Sequence, residues 1–159
     1  MLHLTLLFLG DLPENRIQLL GASLEELLRP FPCFETPLQG LGCFGEKRNP
    51  AVLYCRAPAG ERLTQLAELT FRTVAHPDFP IPGKPFRPHV TLARLRELRY
   101  PGRVMALVEK YRDTFFQTLK ANEVILYESL ATPAGHRYSP LLIIPLADLS
   151  GTPEAAGNL

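Results

Sequence analysis

The sequence predicts an α+β fold with two pseudo-symmetric lobes of antiparallel sheet and outer helices around a central cleft. Two segments carry apolar residues at helical spacing, and β-prone runs come in pairs joined by short polar turns. The order of elements also repeats along the chain, as a motif-bearing strand, a helix and then a pair of strands. Strand pairs with tight turns favour antiparallel sheets, and the repeated order suggests two related lobes with one motif strand each.

The first strand is predicted over about residues 2–9 and ends at Gly10. A helix follows to about Arg29. Asp11 and Glu14 have the spacing of a capping box, and a proline in the first turn is tolerated because its missing N–H needs no partner there. The expected apolar side of this helix carries Ile17, Leu20, Leu24, Leu27 and Leu28.

Two strands are predicted next, over 33–45 and 51–57, around a polar hairpin turn. A second helix is expected from about Glu61 to Ala75, with its apolar side formed by Leu63, Leu66, Ala67, Thr70, Phe71 and Val74. A proline-rich loop over 77–85 then leads to a strand from about Arg87 to Leu95.

The remaining elements are a short helix, a pair of strands and a tail. The helix is predicted near 103–112, burying Val104, Leu107, Val108 and Tyr111. The strands are predicted over about 115–129 and 136–145. Residues 149–159 are typical of a flexible tail, so we assign 1–148 to a single bilobal domain.

Composition limits the class of protein. A length of 159 residues suffices for a buried core, and a net charge of +1 argues against a generally cationic nucleic-acid binder. Three cysteines without C-x-x-C spacing indicate reduced thiols that act mainly as small apolar residues (Cys33, Cys43 and Cys55). The start of the sequence has no secretory pattern and no apolar run has membrane-spanning length, so we expect no membrane partner. The reduced thiols favour the cytoplasm, and we expect a monomer.

The pattern His-x-Thr-Leu occurs twice, each time within a β-prone run. The copies place His3 two positions before Thr5 and His89 two positions before Thr91. Side chains two apart on a strand point the same way, so each strand presents one imidazole and one hydroxyl on one face. Two such strands facing each other suit phosphoryl chemistry, with one His as base, the other as acid, and hydroxyls on phosphate oxygens.

A cluster of basic residues surrounds the second motif, with Glu97 as the one acidic residue between Lys84 and Arg103. Such a cluster is typical of a phosphate-facing surface, although a solvated strand edge is an equal alternative for any one member. Arg94 faces away from His89 in a regular strand, so a bulge or strand end near Ala93 is needed to bring it to the same side. The cluster comprises Lys84, Arg87, Arg94, Arg96, Arg99 and Arg103.

These motifs resemble the 2H phosphoesterase superfamily. The stretches LHLTLLFLGDLPENR and PFRPHVTLARLR are similar to the RNA 2',3'-cyclic phosphodiesterases, also called 2'-5' RNA ligases or LigT-like proteins. GLGCF and the closing LYESL with G-x-x-Y also fit. The resemblance extends to about residue 146 and implies two lobes around a cleft.

The resemblance implies hydrolysis of RNA 2',3'-cyclic phosphate ends to 2'-phosphates without a metal or other cofactor. Carried over, His3 is the acid for the 3'-oxygen leaving group and His89 is the base that activates water. Thr5 and Thr91 bind the phosphate, and Arg94 adds a cation. The partners implied are RNA ends or cyclic nucleotides.

One departure from the family concerns the start of the chain. Members usually have a strand and a helix before the first motif, and that strand commonly brings an aromatic residue to the nucleotide base. Here His3 is the third residue. Because chain ends fray unless tied down, we expect the native protein to begin upstream of Met1, the alternative being that this lobe is reduced.

Several alternatives remain open from the sequence. A 2'-5' RNA ligase would use the same residues with an RNA 5'-hydroxyl in place of water. A non-catalytic RNA-end-binding module is the alternative outside enzymes, and a metal site built on the two His is a further one. His76 and His136 lie in turn contexts and are expected to be solvated.

Overall fold

The computed structural model describes residues 2–75, 85–133 and 135–149. Three helices lie within these residues: α1 Glu14–Leu28, α2 Glu61–Val74 and α3 Pro101–Lys110. The strands are β1 Phe34–Gln39, β2 Leu41–Glu46, β3 Asn49–Arg56, β4 His89–Arg94, β5 Phe115–Ala121, β6 Glu123–Thr132 and β7 Gly135–Pro145. Helices together with antiparallel sheets confirm the predicted α+β class. None of these helices is both long and apolar enough to cross a membrane.

The chain divides into two compact units. The first comprises Met1–Asp11 and Glu35–Leu119, and the second Leu12–Phe34 and Lys120–Leu159. Both His-x-Thr-Leu segments therefore belong to the first unit. The expectation of one motif strand in each lobe does not hold for these units, because the two motif segments are direct neighbours.

The first unit contains a three-stranded sheet in the order β2-β3-β4, with both pairs antiparallel. A polar turn joins β2 to β3, as predicted from the sequence. The helix α3 lies against β2 and β3, and β1 pairs with β5 in a separate two-stranded sheet. The buried apolar side chains described in this unit come from β1 to β4, from the residue that follows β3 and from α2: Leu38, Leu41, Cys55, Ala57, Leu63, Leu66, Ala67, Val74 and Val90.

The second unit is built from α1 and the antiparallel hairpin β6-β7. The helix lies against β7, where a Cβ on Gly21 would be 3.4 Å from Leu142 Cδ2. Leu28 of the helix and Ile144 of the hairpin are both fully buried, so they form the centre of this small core. A parallel bridge between Pro32 and Ala147 ties the end of the helix to the end of the hairpin.

Gly40 divides one predicted strand into two. The sequence predicts a single strand over 33–45, but Gly40 has a φ of +80°, and β1 and β2 belong to different sheets. A Cβ at this position would overlap the carbonyl oxygen of Arg112. Glycine is therefore required both for the left-handed backbone and for the close approach of another segment. In the same way, the predicted strand 115–129 is divided at Asn122 into β5 and β6.

Two predictions for the start of the chain are wrong. The strand expected over 2–9 is reduced to one bridge at Leu4, because the backbone bends at Leu6. The capping box also does not form: Pro13 is the N-cap residue of α1 and no side chain caps the helix. A proline has no side-chain oxygen to accept the free N–H groups of the first turn.

The other helices agree with the sequence in position but not always in burial. The helix α2 matches the prediction within a residue. By contrast, α3 begins two residues earlier than predicted and buries none of its side chains, with Leu107 left 40% exposed. Of the predicted tail 149–159, only Leu149 lies in the described part, so the tail and the single domain over 1–148 stay predictions.

The three cysteines are free thiols, and two of them lie on the same face of the sheet. Burial raises the pKa of the Cys43 and Cys55 thiols, since a charged thiolate is poorly solvated there. Both side chains therefore stay protonated to a higher pH in the folded protein than in the unfolded chain.

We expect iodoacetamide to alkylate Cys43 and Cys55 at least about tenfold more slowly in the folded protein than in denaturant at about pH 7.5, because the thiolate is the nucleophile. The difference in alkylation rate between the folded and the denatured protein should become smaller as the pH rises above the ordinary thiol pKa. Mass spectrometry of the modified peptides measures this. Equal labelling of the folded and denatured protein at neutral pH would contradict the raised pKa values.

Candidate active site

The two His-x-Thr-Leu segments meet at one antiparallel bridge, between Leu4 and Val90. This register places His3 opposite Thr91 and Thr5 opposite His89. Val90 is buried, so its neighbours along β4 point to the other, more open face. The bridge therefore brings both imidazoles and both hydroxyls to one face of the sheet edge.

The expected spacing on this face suits a group of phosphate size. Directly opposite residues have Cβ atoms about 4.5–5.5 Å apart, and diagonal ones about 7–8 Å. His3 and His89 are the diagonal pair, and each is half-buried, as are both threonines. Their rings can therefore approach a small substrate from two sides while the hydroxyls lie between them.

His89 is held in one tautomer by the backbone. Its Nδ1 lies 2.6 Å from the carbonyl oxygen of Arg87. A carbonyl can only accept a hydrogen bond, so Nδ1 carries the proton and donates it. The lone pair of the neutral ring is then on Nε2, which is the nitrogen left to accept a proton from a substrate or water.

Two aromatic rings also pack against His89. The Phe44 ring lies edge-on at 4.9 Å between centroids, and the Tyr54 ring lies at 5.3 Å. The two rings contact each other at 4.3 Å. Edge-to-face contacts of this kind fix ring orientation as well as burying apolar surface, so the imidazole has little freedom to rotate.

Gly42 makes room for this aromatic cluster. It pairs with Tyr54 across the β2-β3 ladder, and a Cβ at Gly42 would lie within 2.6 Å of the Tyr54 hydroxyl oxygen. The Tyr54 ring therefore lies across the glycine. Any larger residue at this position would displace the ring that supports His89.

A β-bulge in β4 changes the side on which Arg94 lies. Leu53 pairs with Ala93 and Tyr54 with Thr91, so Leu92 is an additional residue in β4. Arg94 then pairs with Val52, which shares a face of β3 with Tyr54. The bulge that the sequence analysis required is present, and it puts Arg94 on the same face as His89 and Thr91. Arg56 pairs with His89 and lies on this face too.

The other sequence candidates lie elsewhere or outside the described residues. His76 and Lys84 fall in the segment that is not described. His136 lies in β7 rather than in a turn, is exposed as predicted, and has its Nδ1 3.2 Å from Ser129 Oγ. The remaining members of the basic cluster are all exposed: Arg87, Arg94, Arg96, Arg99 and Arg103.

Sequence reasoning from the motifs missed the residues that support His89. Phe44, Tyr54 and the Arg87 carbonyl carry no catalytic signature of their own. A usable signal was the alternation Gly42-x-Phe44 in one strand of the hairpin, which indicates that glycine and aromatic residues share a face.

Within 2–75, 85–133 and 135–149, no three His, Cys, Asp or Glu side chains form a group that could hold a metal ion.

Comparison with known proteins identifies the family of this chain. The family model of the 2'-5' RNA ligase superfamily matches residues 1–132. The chain belongs to the 2'-5' RNA ligase superfamily. It is 32% identical over 142 residues to the RNA 2',3'-cyclic phosphodiesterase of Thermotoga maritima, covering 88% of this chain and 73% of that protein. It is 29% identical to the Archaeoglobus fulgidus protein of the same name, covering 89% and 78%.

Solved structures share the fold of this chain. The crystal structure of TT0787 of Thermus thermophilus superposes with a TM-score of 0.75 at 30% identity, covering 93% of this chain and 79% of that one. The crystal structure of E. coli LigT complexed with 3'-AMP gives a TM-score of 0.70 at 26% identity, covering 92% and 78%. The α+β fold and the family resemblance are therefore confirmed.

We expect Gly42→Ala to destabilise the protein by about 1–3 kcal/mol, because the new methyl group must displace the Tyr54 ring. Gly102→Ala is the matched control, since a Cβ there meets nothing within 4 Å and alanine favours the helix. Urea unfolding followed by circular dichroism measures both. If Gly42→Ala were as stable as Gly102→Ala, the Tyr54 ring would be able to move aside without lowering the free energy of unfolding.

Proposed function

We propose that this protein hydrolyses RNA 2',3'-cyclic phosphate ends to 2'-phosphates, with His89 as the base, His3 as the acid and no metal. The observation that carries the proposal is the Leu4–Val90 bridge, which sets both His-x-Thr pairs on one face. The relatives named RNA 2',3'-cyclic phosphodiesterase support the same reaction class at about a third identity over most of the chain.

The reaction needs one proton acceptor and one proton donor on opposite sides of the phosphorus atom. His89 Nε2 takes a proton from water, whose oxygen forms a new bond to phosphorus. The bond from phosphorus to the ribose 3'-oxygen breaks, and protonated His3 supplies the proton that this oxygen needs. The products are a 2'-phosphate and a 3'-hydroxyl. The hydrogen bond from His89 Nδ1 to the Arg87 carbonyl supports the role of base.

The phosphate oxygens are bound by Thr5, Thr91 and Arg94. Each hydroxyl lies opposite or beside a catalytic imidazole, so it can donate to an oxygen that does not take part in the bond exchange. Arg94 brings a full positive charge to the same face because of the bulge at Leu92. A guanidinium also fits two phosphate oxygens at once.

The substrate is the end of an RNA chain or a cyclic nucleotide. E. coli LigT complexed with 3'-AMP is a structural relative, and its complex supports binding of a ribonucleotide phosphate in this fold.

We assign the protein to the cytoplasm, as a monomer whose residues 1–148 act as one domain. This location fits the proposed reaction, because RNA is cut and processed inside cells.

A 2'-5' RNA ligase is the second candidate, and the family match to that superfamily favours it. An RNA 5'-hydroxyl would replace water, with the same two imidazoles exchanging protons. The decisive experiment is incubation of the protein with a cyclic-ended oligonucleotide, with and without a 5'-hydroxyl oligonucleotide, and in each case with and without a chelator. A 2'-phosphate product supports hydrolysis and joined RNA supports ligation. Binding without product supports a non-catalytic module, and loss of activity with the chelator supports a metal site.

We expect His3→Ala and His89→Ala each to lower kcat by about a hundredfold or more, as is typical when an acid or base is removed. Substrate affinity should change much less. His136→Ala is the control, because it removes an exposed imidazole from the second unit. Steady-state kinetics with a 2',3'-cyclic nucleotide measures the effect. Turnover close to that of the control in either variant would exclude the two-histidine mechanism.

We expect Thr5→Val and Thr91→Val each to lower kcat/KM. The corresponding loss of transition-state stabilisation should be about 0.5–3 kcal/mol, the range for one hydrogen bond to a neutral or charged partner. Valine keeps the branched shape, so only the hydroxyl is tested. Arg94→Lys should also lower kcat/KM, because lysine keeps the charge without the two-pronged geometry. If Arg94→Ala behaves as wild type, the bulge does not bring this side chain to the substrate.

A further inference from the structure

A cluster of three exposed side chains lies at the start of α3 and in the segment just before it. The guanidinium carbons of Arg99 and Arg103 are 5.3 Å and 4.9 Å from the centre of the Tyr100 ring. Tyr100 itself is 53% exposed, and both arginines are exposed. We call these three residues the Arg-Tyr-Arg cluster. Two cations on one exposed aromatic ring form a surface that is both charged and able to stack.

Among the described residues, no carboxylate forms an ion pair with the two arginines of this cluster. Arg99 and Arg103 differ in this from Arg72 and Arg112, which pair with glutamates close to them in sequence. The cation–π contact orients each guanidinium but leaves its outer N–H groups for another acceptor. The cation–π contacts therefore hold the three side chains in an arrangement suited to an anionic ligand that also carries planar groups.

The Arg-Tyr-Arg cluster follows directly from the reactive face along the chain. Arg94 lies on that face, and five residues later the chain reaches Arg99, a distance of at most about 18 Å even when fully extended. Arg96 lies between them and is exposed. Glu97 has a φ of +47°, so the backbone turns sharply there and redirects the chain toward α3. These cations therefore belong to the same unit as the candidate phosphate site and lie close to it along the chain.

We propose that the Arg-Tyr-Arg cluster binds the single-stranded RNA that lies immediately 5' of the nucleotide carrying the cyclic phosphate, an inference that rests on the proposed function. The guanidiniums contact the phosphates of the next nucleotides, while the Tyr100 ring and the guanidinium planes stack on their bases. A mononucleotide does not extend to this surface. The cluster therefore makes the enzyme prefer RNA ends over free cyclic nucleotides.

The test compares two substrates in each variant. One is a 2',3'-cyclic mononucleotide and the other is a five-nucleotide RNA with the same cyclic end. We expect the double variant Arg99→Gln/Arg103→Gln to lower the ratio of kcat/KM for the RNA to that for the mononucleotide by about tenfold at low salt. The slope of log kcat/KM for the RNA against log salt should fall by about 1.4, since two phosphate contacts on a single strand contribute about 0.7 each.

Matched variants distinguish an effect of the Arg-Tyr-Arg cluster from an effect of removing positive charge anywhere on the surface. Arg62→Gln/Arg72→Gln removes the same charge from exposed positions on α2 and should leave the ratio unchanged. Tyr100→Leu should lower the ratio, whereas Tyr100→Phe should keep it, because stacking needs the ring and not the hydroxyl. Glu97→Gln should raise the ratio, because it removes the one carboxylate within the run of cations from 94 to 103.

Binding measured without turnover keeps this proposal separate from the proposed function. Fluorescence anisotropy with a labelled five-nucleotide RNA ending in a 2'-phosphate reports on the cluster even if wild type hydrolyses neither substrate. Weaker binding by Arg99→Gln/Arg103→Gln than by Arg62→Gln/Arg72→Gln supports the cluster. Equal binding by these two double variants, or an unchanged substrate ratio, overturns it.

Discussion

The candidate site depends on one backbone contact, the antiparallel bridge between Leu4 and Val90. Two segments far apart in sequence acquire a common register through this bridge, and strand alternation then places four polar side chains on one face. A shift of one residue in this register would send His3 and Thr5 to the buried face. The arrangement of the candidate site is therefore a consequence of pairing register. The burial of Val90 identifies the buried face of β4, so the motif residues lie on the more open face.

The two sides of the site are held with unequal strength. β4 is paired along its length with β3, whereas the first segment pairs with β4 only at Leu4. His89 also has a backbone hydrogen bond and two aromatic neighbours. Because a segment held by few hydrogen bonds opens more readily than a paired strand, opening of the site is expected to begin at His3 rather than at His89.

The sequence predicts most of what depends on local periodicity and little of what depends on contacts between distant segments. The helix α2 and the four motif residues follow from apolar spacing and strand alternation. The interruption at Gly40 could not be predicted, because it reflects the approach of the Arg112 carbonyl from another part of the chain. Arg94 is an intermediate case: the need for a bulge follows from counting residues, but its position at Leu92 is set by pairing with β3.

The two motifs are nearly identical in sequence, so the sequence itself cannot distinguish the acid from the base. The environment of His89 breaks this equivalence. A base must have its free lone pair directed at the substrate before the reaction begins, and donation from Nδ1 to the Arg87 carbonyl leaves that lone pair on Nε2. The contact to the Arg87 carbonyl is therefore compatible with the proposed assignment of His89 as the base and His3 as the acid.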